Sequence, residues 1–425
     1  MFLAQLKSYE MKVDNIFIIL LASRMVSVFL ITTMFAPFQK SIGISLHQMA
    51  ILEGLFQLIW FAMEVPTGII ADKKGRSWSI KIGTALFGIG IFSYAFAFNF
   101  LSALFAEMFI ATGMAFISGA DDAWLADALD RQDRLNDFGE IKSKAVKWMG
   151  VTALISGSLG ALIADFVGYR YVWLLGSVAL AFSYFIAHWQ INGQGEVIVN
   201  QNKKVTKRHK MLGTMQAGYY AWRASWPLKW TTLALCFFTL SFAFNHFWPV
   251  YLREISGDQK YLSGIWILIY SMTMIGPWVL SRCYKRANQD KQKGESKSLT
   301  ISKRGIVLAL LMSGSGLALA GYASHLSPVL LFCCVHELGR GLIGPSADPY
   351  IQRFIKSEYR ATYKSMQTMT TSLTSFCLYL LMSYILRGKP ANADSVGYLW
   401  MLMGGTLIAL TLLIFLIRPR EPRRH

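Results

Sequence analysis

The sequence predicts an all-α polytopic membrane protein with twelve transmembrane helices in two six-helix halves. Three observations carry this expectation. First, the 425 residues are 54% hydrophobic and only 16% charged, where a soluble domain holds about a quarter charged residues. Second, the apolar residues gather into runs of membrane length. Third, the basic residues are sorted by loop. Lys plus Arg number 42 against 24 Asp plus Glu, a net charge of +18. This composition excludes a soluble enzyme, a disordered chain and a secreted disulfide scaffold. The five cysteines form no CxxC pair, so neither a disulfide framework nor a metal site is expected.

A spanning helix needs roughly 20 mostly apolar residues. The runs are 14–37, 47–70, 78–98, 102–125, 146–166 and 171–190, then 230–252, 261–283, 305–324, 327–348, 365–386 and 396–417. The first is too long for a signal-peptide core and is followed by more spans, so it is read as a span. The longest connection, 191–229, separates six runs from six. It sets the expected organisation: residues 1–190 as one half, 191–229 as a cytoplasmic central loop, and 230–425 as the other half.

The topology follows from charge. With a cytoplasmic N-terminus, only Lys40, Arg170, Arg253, Lys260, Arg387 and Lys389 fall in the opposite loops. Arg24 and Arg340 lie within spans, and every other Lys and Arg is cytoplasmic. That is the positive-inside pattern. It places both termini in the cytoplasm and explains the +18 by contact with cytoplasm and anionic lipid rather than with nucleic acid. The bilayer is thus one expected partner.

The sharpest motif is EVPTGIIADKKGR, residues 64–76. Gly68 reads as a point of close helix approach, Asp72 as an acceptor at a helix exit, and Gly75 as the tight reversal into the third span. Lys73, Lys74 and Arg76 fix the loop on the cytoplasmic side. The stretch Gly68–Arg76 has the form G-x-x-x-D-x-x-G-R, and here the chain resembles the major facilitator superfamily. The resemblance covers nearly the whole chain. It is strengthened by S-G-A-D-D-A-W-L-A-D at 118–127 and by EYRATYKS at 358–365. It implies the major facilitator fold, with spans 1, 4, 7 and 10 lining a central cavity, and a gating role for Glu64, Gly68, Asp72, Gly75 and Arg76. Departures set the chain apart from well-studied drug exporters. The second loop signature, near GPWVLSRCYKR (276–286), has lost its acid. Span 5 has no Gly-Pro pair, and span 4 carries Glu107 where an Arg is usual.

Charges within the spans are the next candidates, since each costs at least ~2.5–3.5 kcal/mol if it faces lipid. Substrate-binding candidates are Arg24, Asn245, His246, Trp248, His336 and Arg340. Proton-coupling candidates are Asp121, Asp122, Glu53 and Glu107. Asp121 and Asp122 are adjacent, so they point ~100° apart on a helix. One is expected to meet Arg24 and the other an opposing helix or water. For every one of these charges the plain alternative is an ion pair that pins helix packing. Trp266 and Tyr270 are expected to extend a pocket wall, and Ser and Thr residues of span 11 form a stripe suited to a water path or to bonds between helices.

No Walker sequence G-x-x-x-x-G-K-[ST] occurs, and in His336-Glu337 the second His of an HExxH pair is replaced by Arg340. No catalytic residue, metal or cofactor is therefore expected. The expected function is secondary active transport by alternating access in a bacterial inner membrane, with the proton as coupling ion and export of a small amphipathic substrate by a monomer. The competing expectation is uptake of an anionic nutrient or iron chelate, gripped by Arg24 and Arg340. A remote one is a receptor or scaffold that transports nothing.

Overall fold

The computed structural model describes residues 11–191, 220, 222–223, 225–288, 294–355 and 360–419. Helices dominate, and no strand occurs among these residues. The cause is general: in hydrocarbon every backbone N–H and C=O must be paired within its own segment. Eleven stretches among the described residues are long and apolar enough to cross a membrane. The expected third span is also helical, but its first turns carry Ser77, Ser79, Lys81 and Thr84 and dilute its apolar character.

The chain divides into two compact units. Unit 1 comprises Met1–Lys204 and Asp258–Trp266. It is built from α1 (Val13–Thr32), α2 (Phe35–Ser41), α3 (Leu46–Lys74), α4 (Arg76–Tyr94), α5 (Phe100–Ile117), α6 (Ala120–Asp130), α7 (Phe138–Phe166) and α8 (Tyr169–Gln190). Two expected continuous spans are broken. The first run divides into α1 and α2 around Thr33 and Met34. The fourth stops at Ser118 and restarts after Gly119, whose φ of +72° no β-carbon residue adopts cheaply. The starts of α3 and α5 are capped: Ser45 and Gln48 form a capping box, and Asn99 Oδ1 accepts the Ser102 N–H at 2.9 Å. Helices α4 and α5 approach closely through glycine. A β-carbon on Gly113 would stand 2.5 Å from the Phe87 nitrogen and 2.6 Å from the Gly83 carbonyl oxygen.

Unit 2 comprises Val205–Gly257 and Ile267–His425. Its helices are α9 (Trp226–Phe238), α10 (Phe242–Ser256), α11 (Tyr261–Asn288), α12 (Gly294–Tyr322), α13 (Leu326–Phe354), α14 (Arg360–Leu386) and α15 (Ala393–Leu416). The first turns of α11 belong to unit 1. Between α9 and α10 the chain tightens into a 3₁₀ turn at Thr239–Ser241, so the expected seventh span is one kinked element. Aromatic N–H and O–H groups buried in this unit find backbone carbonyls. Trp230 donates to Ile414 at 2.9 Å, Trp400 to Ala243 at 3.0 Å, and Tyr251 to Ala320 at 2.8 Å. Each rings an apolar body to a fixed depth through a polar tip.

Gln132, in the connection between α6 and α7, and Asp394, in the first turn of α15, are exposed at ends that the charge pattern puts on opposite sides of the membrane. In a cysteine-free background, a single Cys at Asp394 should react with an impermeant maleimide added outside intact cells. One at Gln132 should react only after permeabilisation. The inverse pattern would reverse the topology.

Candidate functional site

The charged site of unit 1 is organised by α6. Because the helix restarts at Gly119, Asp121 and Asp122 occupy its first turn. There the free backbone N–H groups and the helix dipole favour a carboxylate. Arg24, on α1, is only 2% exposed. Its Nη1 and Nη2 donate to Asp121 Oδ1 and Oδ2 at 3.2 and 2.6 Å, and its Nε donates to the Leu20 carbonyl at 3.0 Å. This is the planar two-pronged pairing that guanidinium makes with carboxylate. Asp122 points elsewhere and pairs with Lys142 of α7. Arg76, the last residue of the loop motif, donates from Nη1 to the Ala123 carbonyl at 2.6 Å and to Asp127 Oδ2 at 2.5 Å. One short helix thus receives a cation from α1, α7 and α4.

The three pairs differ in weight. Asp122 and Lys142 are 46% and 43% exposed, so water screens them and the pair contributes roughly 0–1 kcal/mol. Arg24 and Asp121 are 2% and 16% exposed, and for such a pair the loss of one partner is what costs. Sequence reasoning did not single out Asp127 or Lys142. Asp127 was visible only as the last acid of S-G-A-D-D-A-W-L-A-D, and nothing in the spacing tied it to Arg76.

Glu107, on α5, lies in a second cluster and is 2% exposed. Tyr94 O–H donates to its Oε1 at 2.9 Å, and Gln39 Nε2 reaches both the Tyr94 hydroxyl at 2.8 Å and Glu107 Oε1 at 3.5 Å. Tyr94 is stacked on Trp173 with ring centroids 4.2 Å apart. Glu53 lies on α3, within electrostatic reach of Glu107. The structure therefore brings these two acids into one region, apart from the Arg24–Asp121 pair. Gln39 gave no sequence signal.

The loop motif is only partly as expected. Gly75 has φ +98° and joins α3 to α4 as a single residue. Trp60 Nε1 donates to Glu64 Oε2 at 3.3 Å. Gly68 corrects the sequence reading: a β-carbon there would meet nothing within 4 Å, so it is not a contact glycine. The close approach is made one residue earlier, where the Thr67 hydroxyl donates to the Ala115 carbonyl at 3.1 Å. The side chain of Asp72 lies outside the described residues, as do Glu358 and Tyr359 and the side chains of Arg360, Ala361 and Thr362.

In unit 2, Arg340 of α13 donates from Nη1 to Asn245 Oδ1 of α10, and its Nε stands 3.1 Å from Glu337 Oε2 one turn away. Arg340 is 27% exposed and Glu337 4%. Asn245 and Arg340 are thus brought together, with Glu337 as the counter-charge. His336 is fully buried instead, its Nδ1 2.9 Å from the Ser313 carbonyl and its ring against Phe244. His246 and Trp248 are also buried, at 5% and 2%, and Trp248 stacks on Phe244. Trp266 belongs to unit 1. Its indole donates to the Ala153 carbonyl at 2.8 Å, inside unit 1. In the span-11 stripe, Thr371 and Ser375 hydrogen-bond carbonyls of their own helix.

A polytopic helical protein with two units, a one-residue loop reversal and paired intramembrane charges is the class defined so far. The sequence profile of the Major Facilitator Superfamily matches residues 16–293, so the chain belongs to that family. It is similar to the uncharacterized MFS-type transporter MJ1560 of Methanocaldococcus jannaschii, 23% identical over 193 residues covering 45% of this chain and 48% of that one. It is also similar to the uncharacterized MFS-type transporter YfnC of Bacillus subtilis, 26% identical over 180 residues, 41% of this chain and 42% of that one. The chain spans about half the length of these curated relatives. Among solved structures, the nucleoside transporter NupG superposes with a TM-score of 0.72 over 97% of this chain and 100% of that one, at 11% identity. A POT family transporter in complex with 5-aminolevulinic acid does so at 0.72 over 96% of each, at 13% identity. At such identities the likeness is one of fold.

Removing one member of the Arg24–Asp121 pair should be worse than removing both. Arg24→Met should cost about 3 kcal/mol by stranding a carboxylate, and Arg24→Met with Asp121→Leu should regain most of it. Thermal melts of the purified variants measure this. A double variant as unstable as the single one would show that the pair itself, not the stranded charge, holds the unit.

Proposed function

We propose that the chain is a secondary active transporter of the bacterial inner membrane that works by alternating access. Two six-helix halves, 1–190 and 230–425, move about the connection 191–229, and proton entry drives export of a small amphipathic molecule. The observation that carries this reading is that each unit holds a buried or half-buried arginine already balanced by its own acid: Arg24 by Asp121, Arg340 by Glu337. Neither place is left with net positive charge, which suits a substrate with little charge of its own.

The same pairing supplies a coupling step. Protonating Asp121 removes the charge that holds Arg24, and an isolated buried guanidinium costs several kcal/mol. Protonation and displacement of α1 from α6 therefore belong together. Lys142 holds Asp122 separately, so Asp121 is the coupling acid of the two. Glu107, whose Oε2 accepts no hydrogen bond, and Glu53 are the next carboxylates in line. Gly75 and Arg76, with Asp72 and Glu64, act at the cytoplasmic end as the gate.

A second reading rests on Arg340. Its guanidinium is part-exposed and faces Asn245, a neutral partner, as well as Glu337. An anionic nutrient or iron chelate could exchange with Glu337, and transport would then run inward.

In proteoliposomes with an imposed pH gradient, Asp121→Asn should abolish uphill flux yet retain counterflow exchange, which needs no net proton movement. Uphill transport surviving in Asp121→Asn would move the coupling site to Glu53 and Glu107.

For the anionic reading, Arg340→Lys keeps the charge but loses the planar fork. Binding of an anionic substrate should weaken at least about tenfold, roughly 1.4 kcal/mol. An unchanged Kd with a lower Tm would mark Arg340 as structural.

A further inference from the structure

Unit 2 contains a groove of about 960 Å³ that the transport reading does not use. It runs along α12 between the C-terminal part of α11 and the end of α15. Its walls are apolar and outward-facing: Val279 is 41% exposed, Leu308 49% and Phe415 44%. At one end the character changes abruptly. Lys303, Arg304 and Arg418 all line that end, and no acid lines the groove among the described residues. Lys303 is 9% exposed and donates to the Pro419 carbonyl at 3.4 Å. The Arg418 guanidinium lies 4.1 Å above the Phe415 ring, which holds it at the rim. On the floor, the Trp230 indole is tied to the Ile414 carbonyl.

An apolar trough with a cationic mouth at the membrane boundary has the polarity of a phospholipid. We infer that this groove binds an anionic phospholipid of the surrounding membrane, with its phosphate among Lys303, Arg304 and Arg418 and its acyl chain along Val279, Leu308 and Phe415. Charge selects the occupant. Basic pockets between spanning helices attract anionic headgroups, whereas a zwitterionic lipid brings its own cation to the mouth. From Arg304 to Leu311 the α12 wall runs roughly 10 Å, which takes a headgroup and the upper part of one chain rather than a free anion alone. The mouth lies at the end that the basic loops assign to the cytoplasm, where anionic lipid would be drawn to it.

The test uses the purified full chain in detergent, with phosphatidylglycerol or phosphatidylcholine of identical acyl chains. Phosphatidylglycerol should raise the Tm and remain as a retained adduct in native mass spectrometry; phosphatidylcholine should do neither. Arg304→Gln with Arg418→Gln should weaken the phosphatidylglycerol effect about tenfold. Leu308→Trp, which fills the trough and leaves the cations, should weaken it likewise. Equal stabilisation by both lipids, or the same stabilisation by inorganic phosphate alone, would overturn the assignment. Should the variants fail to fold, phosphatidylglycerol with a photoreactive acyl chain decides on the wild-type chain. Crosslinks concentrated in 275–283 and 304–312 support the groove, and crosslinks spread evenly over the apolar surface refute it.

Discussion

A charge taken out of water must bring its partner with it, and most of what is particular to this protein follows from that constraint. Arg24 sits in the middle of a helix whose only other charged residue is Asp14, in its first turn. With 2% of its surface exposed, its guanidinium is accommodated there by both carboxylate oxygens of Asp121 and the Leu20 carbonyl. Asp121 in turn is placed by the restart of the fourth span at Gly119. Had the helix run on without interruption, its backbone N–H groups would be occupied and the favourable end of a helix dipole would be absent. The broken span and the buried cation explain one another.

The second unit meets the same constraint more loosely. Arg340 keeps a neutral partner, Asn245, beside the charged one, Glu337, and retains part of its water. Several large aromatic side chains of that unit instead donate to backbone carbonyls, as with Trp230, Trp400 and Tyr251. Such bonds fix helix rotation without bringing in charge. The two units therefore use similar helices but different means of fixing them: ion pairs around α6 in the first, aromatic donors around α15 in the second.

What the sequence revealed divides along physical lines. Span positions were legible because roughly 20 apolar residues in a row have few other fates. The family was legible because Gly68–Arg76 has a fixed loop geometry to satisfy, and Gly75 bears the positive φ that such a reversal demands. The breaks at Thr33–Met34 and Ser118–Gly119 were not legible, since Thr, Met, Ser and Gly all occur inside membrane helices. The role of Gly68 was misread because a motif names residues, not the neighbours they face; the contact falls to Thr67. The partner of Arg76 stands 51 positions away, on Asp127, and no local pattern carries that distance. His336 looked like a ligand beside two charges, yet its ring turns into the interior against Phe244 of another helix, a contact that no spacing along its own helix announces.

The joint at Gly119 has a further implication for how the fourth span holds its shape. Glycine populates positive and negative φ about equally, so the hinge residue itself favours neither the bent nor the continuous form. Ser118, extended at φ −54° and ψ 127°, is the one other residue displaced from helical geometry at the joint. The backbone thus offers almost no restoring force against straightening. What holds α6 at this joint is what packs on it: Ala120, Trp124, Leu125, Ala128 and Leu129 are buried against α1, α4, α7 and α8, and Arg24, Arg76 and Lys142 pair with its aspartates, so apolar burial and charge fix the same short helix together.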